Sequence, residues 1–392
     1  MNATAPAIPV SVDDPAAGAT VVPPRVVIDL EKLRHINCGL GRFSLHLGRE
    51  LLRVAEGRFT PVLLLPRGAE RYFPGENFAR ITVAPWRKEV AQRLLRPLVQ
   101  PLLPRSSVAL WHMTNQMSRY LPLDRRVPVL LTVHDLNFLH EAPRDDRLGE
   151  IDRKIAELQR KVDRATEIVT DSAYVADELA TYLRLGDRPV HVVPLGLGEP
   201  PPASPTRPEF LPAGPFLFTV GNCLSHKNFH VLFGLLPRLP GRRLVIAGKK
   251  ATPYGEYLER EASRLGLSDS VVMPGEVSDG DRQWLYEHCE AFFFPSLTEG
   301  FGFPVLEAMA AGAAVFCSRK TSLPEVAGDA AFLLDSFEPD AMATAFWAGL
   351  GRFSSEPGFA DRARAHAAGF SWRATASAYA EIYARLLAKK SD

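Results

Sequence analysis

At 392 residues the chain is long enough for two or three domains that each bury a core, and two is the expectation. Its 46 Lys and Arg nearly balance its 45 Asp and Glu, so bulk charge does not point to a nucleic-acid partner and any phosphate must be held by local groups. Four scattered cysteines, Cys38, Cys223, Cys289 and Cys317, suit neither a disulfide scaffold nor a zinc knuckle or redox pair, and fit a reducing cytosol.

Residues 1–24 are rich in Ala, Pro and small polar types, without a basic start followed by an apolar run, so they read as a disordered tail and not a signal peptide. No apolar stretch approaches the roughly 18 residues that span a bilayer. The expectation is a cytoplasmic protein, soluble or peripheral on the membrane. Residues 26–30 form a short apolar run of the parallel-strand kind, and after a connector come Asn37, Cys38, Gly39, Leu40, Gly41, Arg42 and Phe43. From there Leu40, Phe43, Leu47, Leu51 and Val54 recur at helical spacing, which puts Gly39 and Gly41 at a strand-to-helix junction. A dinucleotide fingerprint would need a third glycine where Ser44 stands and an acidic end to the second strand, residues 62–65, which instead runs into Pro66 and Arg67.

Residues 86–105 mix leucines with Arg87, Lys88, Arg93, Arg96 and Arg105, interrupted by Pro97, Pro101 and Pro104. Two readings stay open, a broken amphipathic surface helix and a peripheral contact with anionic lipid headgroups. Residues 108–111 and 127–133 are the next strands, and His134-Asp135 follows the second, at the strand end that lines the crevice in open α/β sheets. Asp135 also suits a turn cap. Residues 151–162 read as a helix, 167–170 as a strand, Ser172 as an N-cap and 173–183 as its helix. After a strand at 190–194, the Pro- and Gly-rich tract 196–214 marks a linker between a unit spanning 25–195 and one spanning 215–371.

The second unit restarts with a strand at 216–220, a loop through Lys227, and a helix predicted from Phe229. Lys227 then sits just before a helix N-terminus, where a phosphate is favoured, although a solvated surface lysine is the plain alternative. Residues 244–247 and 271–277 continue the strand series. Asp279 and Asp281 have a metal-like spacing but precede Trp284, Leu285 and Cys289 at helical intervals, so they read as first-turn carboxylates.

A buried-looking strand at 291–295 then runs into Ser296-Leu297-Thr298-Glu299-Gly300-Phe301-Gly302-Phe303-Pro304-Val305-Leu306-Glu307. Pro304 suits a first helical position, so a helix N-terminus should face the glycine loop and favour an anion. Gly300 and Gly302 permit close backbone approach. Glu299 in the loop and Glu307 in the helix can accept from hydroxyls, a combination that suits a nucleotide sugar. By spacing alone the two glutamates read equally as a capping arrangement.

This stretch, with residues 308–312 and 322–331 after it, resembles the retaining glycosyltransferases of family 4, two-domain enzymes of the GT-B fold. The resemblance implies two Rossmann-like α/β domains around a cleft, with a last helix, 372–392, crossing back to the first. It also implies an activity: transfer of a hexose, by family-level guess mannose-type, from a nucleotide sugar to a glycan or lipid-linked acceptor in bacterial surface-polysaccharide synthesis. It makes Glu299, Lys227 and His134 the catalytic candidates. Gly39, Gly41, Val277, Gly300, Phe301, Gly302, Phe303 and Glu307 become donor contacts with Lys227 and Glu299. Within it Glu307 holds ribose hydroxyls, Glu299 orients the sugar, His134 touches the sugar near the reacting carbon and the loop at Val277 meets the base through its backbone. No cofactor and no obligatory metal are expected. Cys38 replaces the more frequent glycine of the first loop, and Asn222 and His226 stand where many relatives have an arginine. A phosphorylase, an epimerase or an inactive sugar-nucleotide-binding subunit would use the same cleft.

Overall fold

The structure is a computed structural model that describes residues 23–389 except 37, 85–87, 89, 90, 92, 93, 95–106, 141–147 and 205. The basic segment 86–105 therefore lies outside the described residues, apart from Lys88, Ala91 and Leu94. Short runs of Val, Ile, Leu and Phe form strands because helices cover both faces of a parallel sheet, leaving no polar face to alternate with. In the first half β1 (Arg25–Asp29), β2 (Thr60–Leu65), β3 (Ala79–Thr82), β4 (Val108–Met113), β5 (Val129–Val133), β6 (Glu167–Thr170) and β7 (Val190–Val192) pair in parallel, in the order β3-β2-β1-β4-β5-β6-β7. Helices α1 (Gly39–Val54), α2 (Leu148–Arg164) and α3 (Ala173–Tyr182) belong to this half.

The second half repeats the plan. Strands β8 (Phe216–Val220), β9 (Arg243–Ala247), β10 (Val271–Gly275), β11 (Ala291–Phe294), β12 (Val315–Ser318) and β13 (Phe332–Leu334) pair in parallel as β10-β9-β8-β11-β12-β13. With them run α4 (Pro253–Arg264), α5 (Asp279–His288), α6 (Phe303–Ala311), α7 (Leu323–Ala327), α8 (Pro339–Ser355) and α9 (Phe359–Ala368). Two doubly wound parallel sheets are the expected GT-B arrangement. Strand order reverses between β1 and β4 and again between β8 and β11, and the crevices at such reversals are where open sheets bind ligands.

The helix predicted from Phe229 is instead two 3-10 segments, Phe229–Phe233 and Leu236–Arg238. Asn228 takes a left-handed conformation (φ 58°), and Gly234 and Pro237 deny the segment a continuous α-helical ladder. Pro304 occupies the second position of α6, one later than expected, because Gly302 is the N-cap.

The last helix, α10 (Trp372–Ala388), leaves the second half and packs on α1 and the first sheet. Tyr383 and Tyr379 bring hydroxyls to the buried His112 and Thr132: His112 Nδ1 lies 2.7 Å from Tyr383 Oη, its Nε2 lies 2.8 Å from Thr132 Oγ1, and Thr132 Oγ1 lies 2.9 Å from Tyr379 Oη. Burial holds His112 neutral, its pKa pushed down to about 3. Trp372 sits where the halves and the connector meet, stacked on His46 at 5.1 Å and beside Phe43 (5.9 Å) and Phe303 (6.1 Å). Gly196 passes so close that a Cβ there would lie 2.1 Å from the Trp372 amide nitrogen. Among the described residues no helix is long and apolar enough to cross a membrane.

Candidate active site

The loops after β8 and β11 meet at the reversal point of the second sheet. Leu297 donates its amide to the His226 carbonyl at 2.7 Å, which ties the loops together. Lys227 Nζ then reaches Glu299 Oε1 at 2.6 Å and lies 5.0 Å from the centre of the Phe294 ring. Both charged side chains are largely buried, 14% and 11% exposed, so their attraction is little screened by solvent. The β11 loop is held by its carbonyls. Ser322 Oγ is within hydrogen-bond distance of the Glu299 and Phe301 carbonyls (2.9 and 3.0 Å), and the Glu299 amide donates to Thr321 Oγ1. By contrast, the amides of Gly300, Phe301 and Gly302 donate to no acceptor among the described residues, and Phe303, opening α6, has none one turn back. A row of free amides at a helix start, next to an ammonium group, can neutralise an oxyanion.

Glu307, one turn into α6, accepts from Tyr286 Oη at 2.8 Å and from Arg42 at 3.3 Å. Arg42 comes from α1 in the other half and also meets Asp279 at 3.3 Å. Asp279 and Asp281 occupy the first turn of α5 behind the N-cap Ser278, as the spacing predicts. Val277 is partly buried just before that turn. Among the described residues no three His, Cys, Asp or Glu side chains are grouped to hold a metal ion.

On the facing side, Gly39 opens α1, and Gly41 packs so that a Cβ would lie 2.1 Å from the His35 carbonyl. His134 lies directly after β5, only 5% exposed. Its Nδ1 is 2.6 Å from Asp171 Oδ2 and its Nε2 is 2.8 Å from the Thr114 carbonyl. Burial opposes a charge on this ring, but the Asp171 carboxylate and the two hydrogen bonds outweigh it and raise its pKa. Asp135 accepts from the Asn137 amide at 3.1 Å, the turn-capping role.

The halves touch through the same elements. A Cβ on Gly300 would lie 1.9 Å from the His134 carbonyl oxygen, so glycine is required for this approach. Ser172 caps α3 by accepting from Val175 and also donates to the Gly300 carbonyl at 2.9 Å. Thr298 donates to Asn137 at 2.7 Å, and Glu325 of α7 accepts from the Ala173 amide at 3.0 Å, a carboxylate from one half on the helix N-terminus of the other. Sequence reasoning assigned no role to Arg42, Tyr286, Asp171 or Glu325. Arg42 offered a signal, since a cation one residue after a glycine at a helix start faces whatever that loop faces.

Asp29 ends β1 at the first reversal point, fully buried, accepting from Ser118 Oγ and, at 3.0 Å, from the Glu31 amide. Burial, only partly offset by these donors, pushes its carboxyl from the ordinary 3.8 up to about 7. The folded chain thus holds this proton more tightly than the unfolded chain does. The resulting stability is full below pH 3.8 and is lost as pH rises through about 7. Asp29→Asn cannot ionise, so the melting temperature of the wild type should fall relative to it between pH 4 and 7, and parallel pH profiles would show that Asp29 stays charged.

Comparison with known proteins bears on the family and the fold. Residues 207–347 match the family model described as "Glycosyl transferases group 1". The chain is 28% identical over 381 residues to O-antigen chain mannosyltransferase B of Escherichia coli, covering 89% of this chain and 96% of that protein. In fold it is similar to a sucrose-phosphate synthase from Thermosynechococcus elongatus, with a TM-score of 0.69, 16% identity and coverage of 93% and 99%. It is also similar to Anabaena Alr3699/HepE, solved in complex with UDP and glucose, with a TM-score of 0.68, 16% identity and coverage of 92% and 99%. Residues 207–347 thus form a glycosyl transferases group 1 domain, and the chain that carries it is a glycosyltransferase of the two-domain GT-B fold.

Proposed function

We propose that the protein transfers a hexose, of the mannose type, from a nucleotide-sugar donor to a hydroxyl of a glycan or lipid-linked oligosaccharide. In this reading the anomeric configuration is retained, no metal is required, and the product belongs to a bacterial surface polysaccharide. The single observation that carries it is Lys227 and Glu299 in contact at 2.6 Å beside the free amides of Gly300, Phe301 and Gly302. Breaking the sugar-phosphate bond leaves negative charge on the diphosphate and positive charge on the ring. Catalysis requires that the protein hold both better in the transition state than before it. Lys227 and the amides take the diphosphate, while Glu299 orients the sugar hydroxyls and faces the electron-poor ring. His134 positions the sugar, which requires its Nε2–H to exchange the Thr114 carbonyl for a sugar hydroxyl. Gly39 and Gly41 let the first loop approach the diphosphate, and Val277 supplies backbone groups to the base. The mannose assignment is supported by the relative from Escherichia coli, named as a mannosyltransferase. The nucleotide donor is supported by the neighbour solved with UDP and glucose.

A thermal-shift panel of UDP, GDP, dTDP and ADP sugars tests the donor, because a ligand at 100 times its Kd stabilises by about 2.7 kcal/mol. NMR of the product, prepared with EDTA present, tests retention and metal independence together. A donor epimerised without an acceptor would move the assignment to an epimerase. In this reading Glu307 exchanges its Arg42 partner for the ribose hydroxyls. Glu307→Ala should raise the donor KM with a smaller change in kcat, and an unchanged donor affinity would remove it from the ribose.

A further inference from the structure

A cavity of about 290 Å³ opens at the C-terminal edge of the first sheet and shares no residue with the site above. Its polar lining is Arg34, Arg67, Lys88 and Tyr120, contributed by the connections after β1, β2, β3 and β4 in turn. Lys88 is fixed beside Tyr120 by an isolated antiparallel bridge between their backbones. Arg34 lies 3.7 Å from Glu31, too far for a hydrogen bond, and neither Arg67 nor Lys88 forms an ion pair among the described residues. Tyr120 is the second observation. It is only 3% exposed, yet its backbone alone is bonded, through its carbonyl to Trp111 and its amide to Ser118, while its hydroxyl meets no partner among the described residues.

Arg67 and Lys88, unpaired among the described residues, and Arg34, loosely paired with Glu31, repel one another where they converge, and the Tyr120 hydroxyl opens onto the cavity without a protein partner among the described residues. An oxyanion with several acceptor oxygens resolves both. We propose that this cavity binds a phosphate or diphosphate group carried by the acceptor substrate. The three cations neutralise it and the Tyr120 hydroxyl donates to one oxygen. The word acceptor rests on the transferase reading, but the binding of the anion does not. Such a group on the acceptor anchors it on the first half while the hydroxyl to be glycosylated extends towards the donor on the second.

Pyrophosphate is the probe, titrated calorimetrically into the full-length protein at low ionic strength. Two classes of site are expected, one lost in Lys227→Ala and the other lost in the Arg67→Glu/Lys88→Glu double variant, with Tyr120→Phe weakening only the second. The double variant should weaken that class by about tenfold or more, and added salt should narrow the difference. Wild-type pyrophosphate binding in both the double variant and Tyr120→Phe would overturn the proposal. That result would leave glycosyl transfer untouched, just as failure of every nucleotide sugar as donor would leave pyrophosphate binding in the cavity untouched. Co-sedimentation with phosphatidylcholine vesicles, with and without phosphatidic acid, separates the two sources of phosphate. Recruitment by phosphatidic acid that the double variant abolishes assigns a lipid-borne group, and recruitment that is absent or unchanged, with pyrophosphate binding lost, assigns a soluble phosphorylated acceptor.

Discussion

Lys227→Ala lowers turnover by about 10²-fold or more, the loss typical of one preorganised donor to a developing oxyanion. The ammonium is nearly buried against Glu299, and the groups beside it that would meet the proposed diphosphate, the amides of Gly300, Phe301 and Gly302, are neutral. Removing it leaves Glu299 as an unpaired carboxylate beside a departing dianion, which adds repulsion to the missing attraction. kcat and kcat/KM should therefore fall together, because the interaction matures only as the bond breaks. Lys227→Arg should recover part of the rate by restoring the charge with a different donor geometry. A Lys227→Ala enzyme within threefold of wild type would remove the residue from the chemistry.

Trp372→Ala has the second large effect, a loss of about 3–5 kcal/mol in unfolding free energy. The indole is 7% exposed and touches α1 through Phe43 and His46 and α6 through Phe303, while the connector crosses it at Gly196. Deleting it opens a cavity that no one half can close by itself. Unfolding in denaturant measures the loss, and Trp372→Phe should restore much of it by refilling part of the volume. A change below about 1 kcal/mol, the range of surface substitutions, would show that the junction repacks without it.

What was legible in the chain was local. The stretch from Pro295 to Glu307 carries strand, glycine loop, proline and both glutamates within one run, so its geometry follows from short-range rules and the structure places both glutamates on the predicted loop and helix. Most strands were legible because a buried parallel strand is a bare apolar run. β3 was missed because Ala79–Thr82 alternates at a sheet edge, and β12 because Val315–Ser318 follows an Ala-rich helix end without a polar break. Pairings between distant positions left no such trace. Arg42 and Glu307 are 265 positions apart, His134 and Asp171 37, and Ala173 and Glu325 152. Each needs the sheets to be wound before the partners exist. The helix predicted from Phe229 failed for the opposite reason: its apolar spacing was correct, but one left-handed residue and a glycine-proline pair set the backbone.

The helix that returns to the first sheet also orders events on the ribosome. His112 and Thr132 are translated well over two hundred residues before Tyr379 and Tyr383, the hydroxyls that satisfy them. Until the last turn emerges, the first lobe presents an unfilled polar groove where α10 will lie, so it reaches its final form only after the second lobe has been made. A nascent chain arrested before residue 372 should remain sensitive to protease in its first lobe, and release of the full chain should abolish that sensitivity.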